Sequence, residues 1–415
     1  MGKLSRFLRS GSAAVLALYA APVAVFVGVS APAAAQDYTS GALVGTVADA
    51  DGAPVAGASV SLTSEDQGFT RTTSSGSSGA FRFTALPPGS YSVTIKSPAG
   101  DVSEEGVQIA ASATANYTFV VGGTGAEILV TAARRNLDFS SSTTGVVVDL
   151  QELVGRVPLG RSLTDAALLA PTATAGDTAF GNLPSFGGAS VAENAYYING
   201  LNITNFDKYL GSAPVPFEFF RSIEVKTGSY PAEYGRATGG IINAVSKAGT
   251  NDWTAGLHFN WEPNGLASGG KDTYRDRNRT DRNDSISAIA EVGGPIIRDR
   301  LFAYGLVEFR DIKAGHSSIE SGARFVDRDN DPIWGVKLDA YPIDDHHLEL
   351  TYFDTGTERR RTTFAYDAAA DTVGAELGET RLKAGGPSYV ARYTGHMAEW
   401  FTLSGAYGVS KERFD

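Results

Sequence analysis

The side chains best able to do chemistry in this sequence sit in three short runs. His346-His347-Leu348-Glu349 has a His-x-x-Glu spacing that would suit two zinc ligands if a third ligand and a general base stood nearby. An alternating strand starts here, however, and residues three apart on a strand point to opposite faces, so His346 and Glu349 are expected to mark a turn rather than share an ion. Asp327-Arg328-Asp329-Asn330-Asp331 opens like a calcium loop, but Pro332 stands where glycine is required and Leu338 where a bidentate glutamate should be. A solvated external loop is expected there instead. Gly122-Gly123-Thr124-Gly125 lacks the Gly-Lys-Ser/Thr ending of a phosphate loop, and no Ser/His/Asp arrangement is visible. The sequence therefore predicts no enzyme, no metal site and no cofactor.

What remains is chemistry of the backbone. Glu127-Ile128-Leu129-Val130-Thr131-Ala132 is β-prone and follows the flexible joint at 122–125, so it is suited to adding itself to the sheet edge of another protein. Composition points the same way. The chain of 415 residues is too long for one ordinary core, and 48 glycines with 17 tyrosines and 21 phenylalanines suit many turns and strands. A net charge of -11 without clustered Lys/Arg excludes nucleic acid as a partner, and the absence of cysteine excludes disulfide frameworks and thiolate metal sites. A mean hydropathy of -0.10 does not exclude a membrane, because strands that alternate between lipid and lumen average out.

The elements that must position these groups begin with residues 1–35. Lys3, Arg6 and Arg9 precede the apolar stretch Ala13 to Val29, and Ala33-Ala34-Ala35 offers a small-residue cleavage site before Gln36, the pattern of a secretory signal. No later stretch approaches the ~20 apolar residues of a spanning helix, so any membrane span is expected to be β. Across 37–121 short alternating strands are separated by turns such as Asp51-Gly52-Ala53-Pro54 and Leu86-Pro87-Pro88-Gly89, which predicts a small sandwich. The Gly-x-Val strand at 45–47, the Asp-Gly-x-Pro turn and the Pro-Pro-Gly-x-Tyr return at 87–91 resemble the carboxypeptidase regulatory-like domain, a fold that also serves as an inert spacer or as a binder of carbohydrate or a partner.

Residues 137–250 predict an α+β unit. Leu159 to Leu169 has helical apolar spacing with Ser162 or Thr164 as cap and stops at Pro171, and Tyr196-Tyr197-Ile198 turns through Asn199-Gly200. The stretch from Ile223 to Lys247, with Gly228, Tyr230, Pro231, Glu233, Tyr234, Gly235, Arg236, Gly239, Gly240 and Asn243, is similar nearly residue by residue to the plug domain of TonB-dependent outer-membrane receptors. In physical terms Gly228, Gly235, Gly239 and Gly240 would allow tight turns and close backbone approach, and Glu224, Glu233 and Arg236 carry charges that could pair with a surrounding wall. Given that resemblance, Glu127 to Ala132 in the linker 122–136 resembles the TonB box.

From 251 to 415 the period is two. Trp253, Ala255, Leu257, Phe259 and Trp261 alternate with polar or small residues, as do Trp334, Val336, Leu338 and Ala340, and later Phe401, Leu403, Gly405, Tyr407 and Val409. About seven strands are expected, starting near Trp253, Ser285, Leu301, Ile333, Leu348, Tyr389 and Phe401, with long polar connections such as Lys271 to Arg277 and Arg359-Arg360-Arg361 alternating with short turns. Gly293 to Phe302 resembles the Oar-like subgroup of the receptors. The fold class expected is mainly β: a sandwich, an α+β plug and part of an antiparallel transmembrane barrel. Such barrels are of about 22 strands, so the chain is expected to be a fragment or truncated product that would not insert stably alone.

The resemblance implies a receptor in the outer membrane of a Gram-negative bacterium that takes up an external siderophore, carbohydrate or peptide, with TonB, outer-membrane lipid and that unidentified ligand as partners. A surface or adhesion protein of the same architecture is the alternative. A secreted carbohydrate-binding module is a third.

Overall fold

The computed structural model describes residues 39–111, 113–122, 144–150, 153, 161–176, 183–230, 234–266, 270–398 and 401–414. The expected signal at 1–35 and the segment 127–132 lie outside the described residues.

The first strands build a sandwich of two sheets. β1 (Gly41–Asp49), β4 (Ala80–Leu86) and β7 (Thr114–Val121) form one in the order β4-β1-β7; β2 (Ser59–Ser64), β3 (Thr70–Ser74), β5 (Gly89–Ser97) and β6 (Gly100–Ile109) form the other in the order β3-β2-β5-β6. Alternation dictates the packing: Val60 and Leu62 of β2 and Tyr91, Val93 and Ile95 of β5 all turn inward, against Leu43, Phe83 and Phe119 of the facing sheet. Each such aliphatic side chain contributes about 1.5–3 kcal/mol by leaving water. β7 pairs with β1 in parallel along the full run Ala42↔Thr114 to Asp49↔Val121.

A second sheet has the order β12-β11-β14-β13-β8, from β8 (Thr144–Asp149), β11 (Ala195–Ile198), β12 (Leu201–Asn202), β13 (Phe220–Gly228) and β14 (Ile241–Ser246), with the small hairpin β9 (Ala173–Ala175) and β10 (Pro184–Phe186) beside it. Every residue of β14 is buried, so this sheet is covered on both faces. The expected helix forms over Leu163–Ala167, shorter than its apolar spacing, with Ser162 as the cap accepting from the Asp165 N–H. Asn199 and Gly200 both have positive φ, 47° and 78°, as the tight β11–β12 turn requires.

The remaining strands are β15 (Thr254–Glu262), β16 (Arg282–Ile297), β17 (Leu301–Ser318), β18 (Ala323–Asp329), β19 (Ile333–Ala340), β20 (His346–Asp354), β21 (Thr357–Asp367), β22 (Thr372–Gly385), β23 (Pro387–Ala398), β24 (Phe401–Ser410) and β25 (Arg413–Phe414). They join in one 11-stranded sheet that branches at β17. Leu301 to Glu308 pair with β19, and Ile312 to Ser318 pair with β18 on the same edge. One branch is a wall, β15-β16-β17-β19-β20-β23-β24, and its members are the strands expected from the sequence. The other is a flare, β18-β21-β22-β25, which the sequence reading missed. Arg359-Arg360-Arg361, expected in a loop, lies within β21.

The wall is inside out. In β19, Trp334, Val336 and Leu338 are exposed, while Lys337 and Asp339 are only 5% and 2% exposed. In β15, Leu257 is 79% exposed, and Trp253, Phe259 and Trp261 face the same way. Water outside such a surface would be unfavourable at every second residue; hydrocarbon outside it satisfies them all. Trp253 and Trp261 are eight residues apart, about 26 Å at ~3.3 Å per residue. That matches the roughly 25 Å apolar band bounded by aromatic girdles in outer-membrane barrels. β17, at 18 residues, is far longer than the roughly 9–11 needed to cross, so its far half carries the flare beyond the band.

Candidate functional site

The two-face-covered sheet sits against the polar face of the wall, and its contacts there are specific. The core around Phe219, Ile223 and Ile242 continues into Ile289, Tyr304, Leu306 and Phe353 of the wall. The Asn199-Gly200 turn makes a buried polar lock: Asn199 Nδ2 donates to Ser246 Oγ at 2.7 Å and to the wall's Thr351 Oγ1 at 2.8 Å, its Oδ1 accepts from the Ser246 N–H, and Arg392 donates to its carbonyl at 3.0 Å. These bonds fix the turn in one place, since leaving the Asn199 amide unpaired would cost about 1–3 kcal/mol. A second contact stands where the chain passes into the wall. Lys247 Nζ lies 2.7 Å from Glu291, whose carboxylate also takes His258 at 2.9 Å and the Tyr304 hydroxyl.

Between the same sheet and β15–β17 lies a cavity of about 540 Å³, bordered by Arg161 and Glu218 on one side and Asn260, Ser287, Glu308 and Arg310 on the other. Arg161 and Glu218 form an ion pair across its floor. The lining is mixed, with Leu163, Leu183, Leu210, Val215, Phe217 and Ile289 beside the charged groups of both signs.

The residues singled out from the sequence fall as follows. Gly240 is packed so closely that a Cβ would stand 2.1 Å from the Phe186 ring, and one at Gly239 would stand 2.5 Å from Asn194 Oδ1. At Gly228 the nearest atom to a Cβ would be Thr144 Oγ1 at 3.1 Å. Gly235 differs from expectation: a Cβ there would meet nothing within 4 Å. The Tyr230 hydroxyl donates to the Gly239 carbonyl at 2.9 Å, and its ring meets Tyr234 edge-on, with Tyr234 in turn against Tyr197. Asn243 is fully buried in β14 beside Tyr197 and Glu224. Arg236 is exposed with φ of 70°. Glu224 pairs with Lys226 of its own strand at 2.6 Å rather than with the wall. Pro231 and Glu233 lie outside the described residues. Burial raises the Tyr196 phenol to about 12, against a smaller opposing effect of the neighbouring Asn194 side chain, so it stays neutral.

The two metal-like motifs resolve into ion pairs. His346 contacts the Tyr393 hydroxyl at 2.7 Å, away from Glu349. Asp339, His347 and Glu349 do gather, but Lys337 Nζ stands 3.1 Å from Glu349 and 3.7 Å from Asp339 and supplies the positive charge itself. Asp327 is not in a solvated loop but on β18, held by two contacts of 2.7 Å from Arg361, and Asp329 is taken by Arg310. Asp331 in turn accepts from the Glu358 N–H, so the carboxylates of this run are already engaged within the protein.

Comparison with known proteins decides what this arrangement is. Residues 42–122 match the carboxypeptidase regulatory-like domain, and residues 138–241 match the TonB-dependent receptor plug domain. Over 282 residues the chain is 28% identical to the TonB-dependent transporter Oar of Myxococcus xanthus, covering 64% of this chain and 26% of that protein. The chain is thus similar to a TonB-dependent transporter and carries a stretch that matches the plug domain of TonB-dependent receptors. It spans about a quarter of the length of that curated relative. A ferric enterobactin receptor of Pseudomonas aeruginosa is similar at TM-score 0.47 and 13% identity, covering 66% of this chain and 42% of that one. A siderophore receptor of Acinetobacter baumannii is similar at 0.38 and 14%, covering 65% and 44%. These relatives are transporters and receptors, not enzymes. Strands β8 and β11 to β13 lie within the stretch that matches the plug domain, and the Asn199 and Lys247 contacts hold their sheet against the wall. Neither contact was legible in the sequence: the one local signal was the Asn-Gly pair, and the partners Thr351, Arg392 and Glu291 are distant along the chain.

Proposed function

We propose that this chain belongs to a receptor that carries an external ligand across the outer membrane, energised by TonB. Residues 1–35 direct export and are removed. Glu127 to Ala132 add as a strand to a sheet edge of TonB in the periplasm, and the plug responds by moving from the wall. The observation that carries this reading is the wall itself, apolar outward and charged inward, with a plug domain held against its charged face by hydrogen bonds. As physics it is a two-state plug, biased from outside by ligand and from inside by a β-augmenting partner. The boundaries follow: sandwich 37–121, linker 122–136, plug 137–250, wall from 251.

Siderophores, carbohydrates and peptides are the ligand classes to test. Cells carrying or lacking the gene are grown on ferric siderophores, oligosaccharides or peptides as sole source of the limiting nutrient. The responsive nutrient is then offered to cells whose protein lacks residues 127–132. Loss of TonB crosslinking and of uptake, with binding at the cell surface retained, is the expected result. Unchanged uptake removes the segment from the mechanism.

A further inference from the structure

The connection between β2 and β3 leaves the sandwich and reaches three other parts of the molecule at once. Asp66 pairs with Arg221 of the plug at 3.1 Å, and its carbonyl accepts from the Asn251 N–H at 2.8 Å, in the joint between plug and wall. Gln67, 5% exposed, donates to the Gly249 carbonyl of that joint at 3.1 Å and accepts from the hydroxyl of Tyr341, next to the β19–β20 turn, at 2.6 Å. Gly68, at φ of 74°, lies where a Cβ would press within 2.1 Å of Asp299 in the β16–β17 turn. Phe69 stacks on Tyr341 at 4.8 Å, Tyr341 stacks on His347 at 4.6 Å, and Arg71 pairs with Asp345 at 3.2 Å.

This contact is small beside the cores it joins. It holds one aromatic stack, one buried amide and two ion pairs, with a cavity of about 250 Å³ left open next to Phe69 and Arg71. Under load it gives way before the plug core or the sandwich core does. The sandwich transmits that load rather than unravelling, because β7, its last strand, is held to β1 by a parallel ladder from Ala42↔Thr114 to Asp49↔Val121. A pull along that strand loads all the ladder's hydrogen bonds together. Residues 123–143 run from the end of β7 to β8, so a force applied to 127–132 pulls on the sandwich at one end and the plug at the other.

We infer that residues 66–71 are a latch: they clip the sandwich across the joint between plug and wall, and a pull on 127–132 opens them before the plug moves. This rests on the TonB-engagement reading above. The test is mechanical. The full-length receptor to which this chain is proposed to belong is held in a supported bilayer of outer-membrane lipids, and a force probe carrying the purified periplasmic domain of TonB is brought to it and withdrawn. Two rupture events are expected, the latch and then the plug. Gln67→Ala with Phe69→Ala and Arg71→Ala is expected to lower the first to less than half its force and leave the second unchanged, with the sandwich still resistant to trypsin. Bridging Arg71→Cys to Asp345→Cys with a bifunctional maleimide is expected to raise the first event above the second. Force curves unchanged by both variants overturn the latch. If the probe never engages, the reading of 127–132 fails rather than the latch. The pull is then made through Leu129→Cys, a unique thiol in a chain without cysteine, and the same outcomes decide.

Discussion

The sandwich and the wall are written in one alphabet and read in opposite directions. In β5, Tyr91, Val93 and Ile95 turn inward and the residues between them face water; in β19, Trp334, Val336 and Leu338 turn outward and Lys337 and Asp339 are enclosed. Both have period two. The period fixes which residues share a face, and only the medium on each side fixes which face is outside. What gives the wall away is that its enclosed positions carry paired charges while its exposed positions carry Trp334, Val336 and Leu338, the reverse of a sheet that faces water.

The strongest challenge to that contrast is Lys337→Met. It leaves Asp339 and Glu349 enclosed with their cation gone, and a loss of about 3–5 kcal/mol is expected, seen as a lower urea midpoint of the lipid-reconstituted protein. An unchanged midpoint would mean these groups see water. Next comes a pair of identical changes. Leu338→Arg on the outer face of the wall should cost about 2–4 kcal/mol in lipid. Val120→Arg, on the exposed face of β7, should stay within about 0.5 kcal/mol. Equal costs in the same urea titration would erase the distinction between the two regions. The plug, covered on both faces, offers an intermediate case: Gly240→Ala drives a methyl into the Phe186 ring and is expected to cost about 1–3 kcal/mol, read as earlier protease cleavage of the plug. The smallest effect is Tyr91→Phe in the sandwich, which removes the hydroxyl's 2.6 Å bond to the Pro87 carbonyl for about 1 kcal/mol. Burial holds the Tyr91 phenol well above its ordinary range, with Arg221 and Arg71 partly opposing, so this bond should persist into alkali, where near-ultraviolet difference spectra would show Tyr91 among the last tyrosines to ionise.

How much of this was legible in the sequence depended on where solvent lay. The seven wall strands could be read because lipid and lumen impose opposite demands on alternate residues. The flare could not, since β22 is exposed along almost its whole length and has no face to declare. β21 is specified instead by pairs such as Arg361–Asp327, whose partners are 34 residues apart in sequence. For the same reason Asp327 looked like part of a calcium loop. In the plug, Gly240 announced a close approach correctly, whereas Gly235 stands in open space. The Asn199-Gly200 turn was visible as a turn; its role as a lock was not, because Thr351 and Arg392 lie 152 and 193 residues further on. Local pattern carries strand and turn. It does not carry what a turn is pressed against.

The branching of β17 separates inheritance in the two halves of the sheet. On one edge of β17 the partner changes from β19, ending at Glu308, to β18, beginning at Ile312, while β16 on the other edge runs on to Gly315, so the register of β19 is set without reference to the flare. Residues 318–329 and 357–385 can thus lengthen or shorten without shifting the rungs that join β19 to β17.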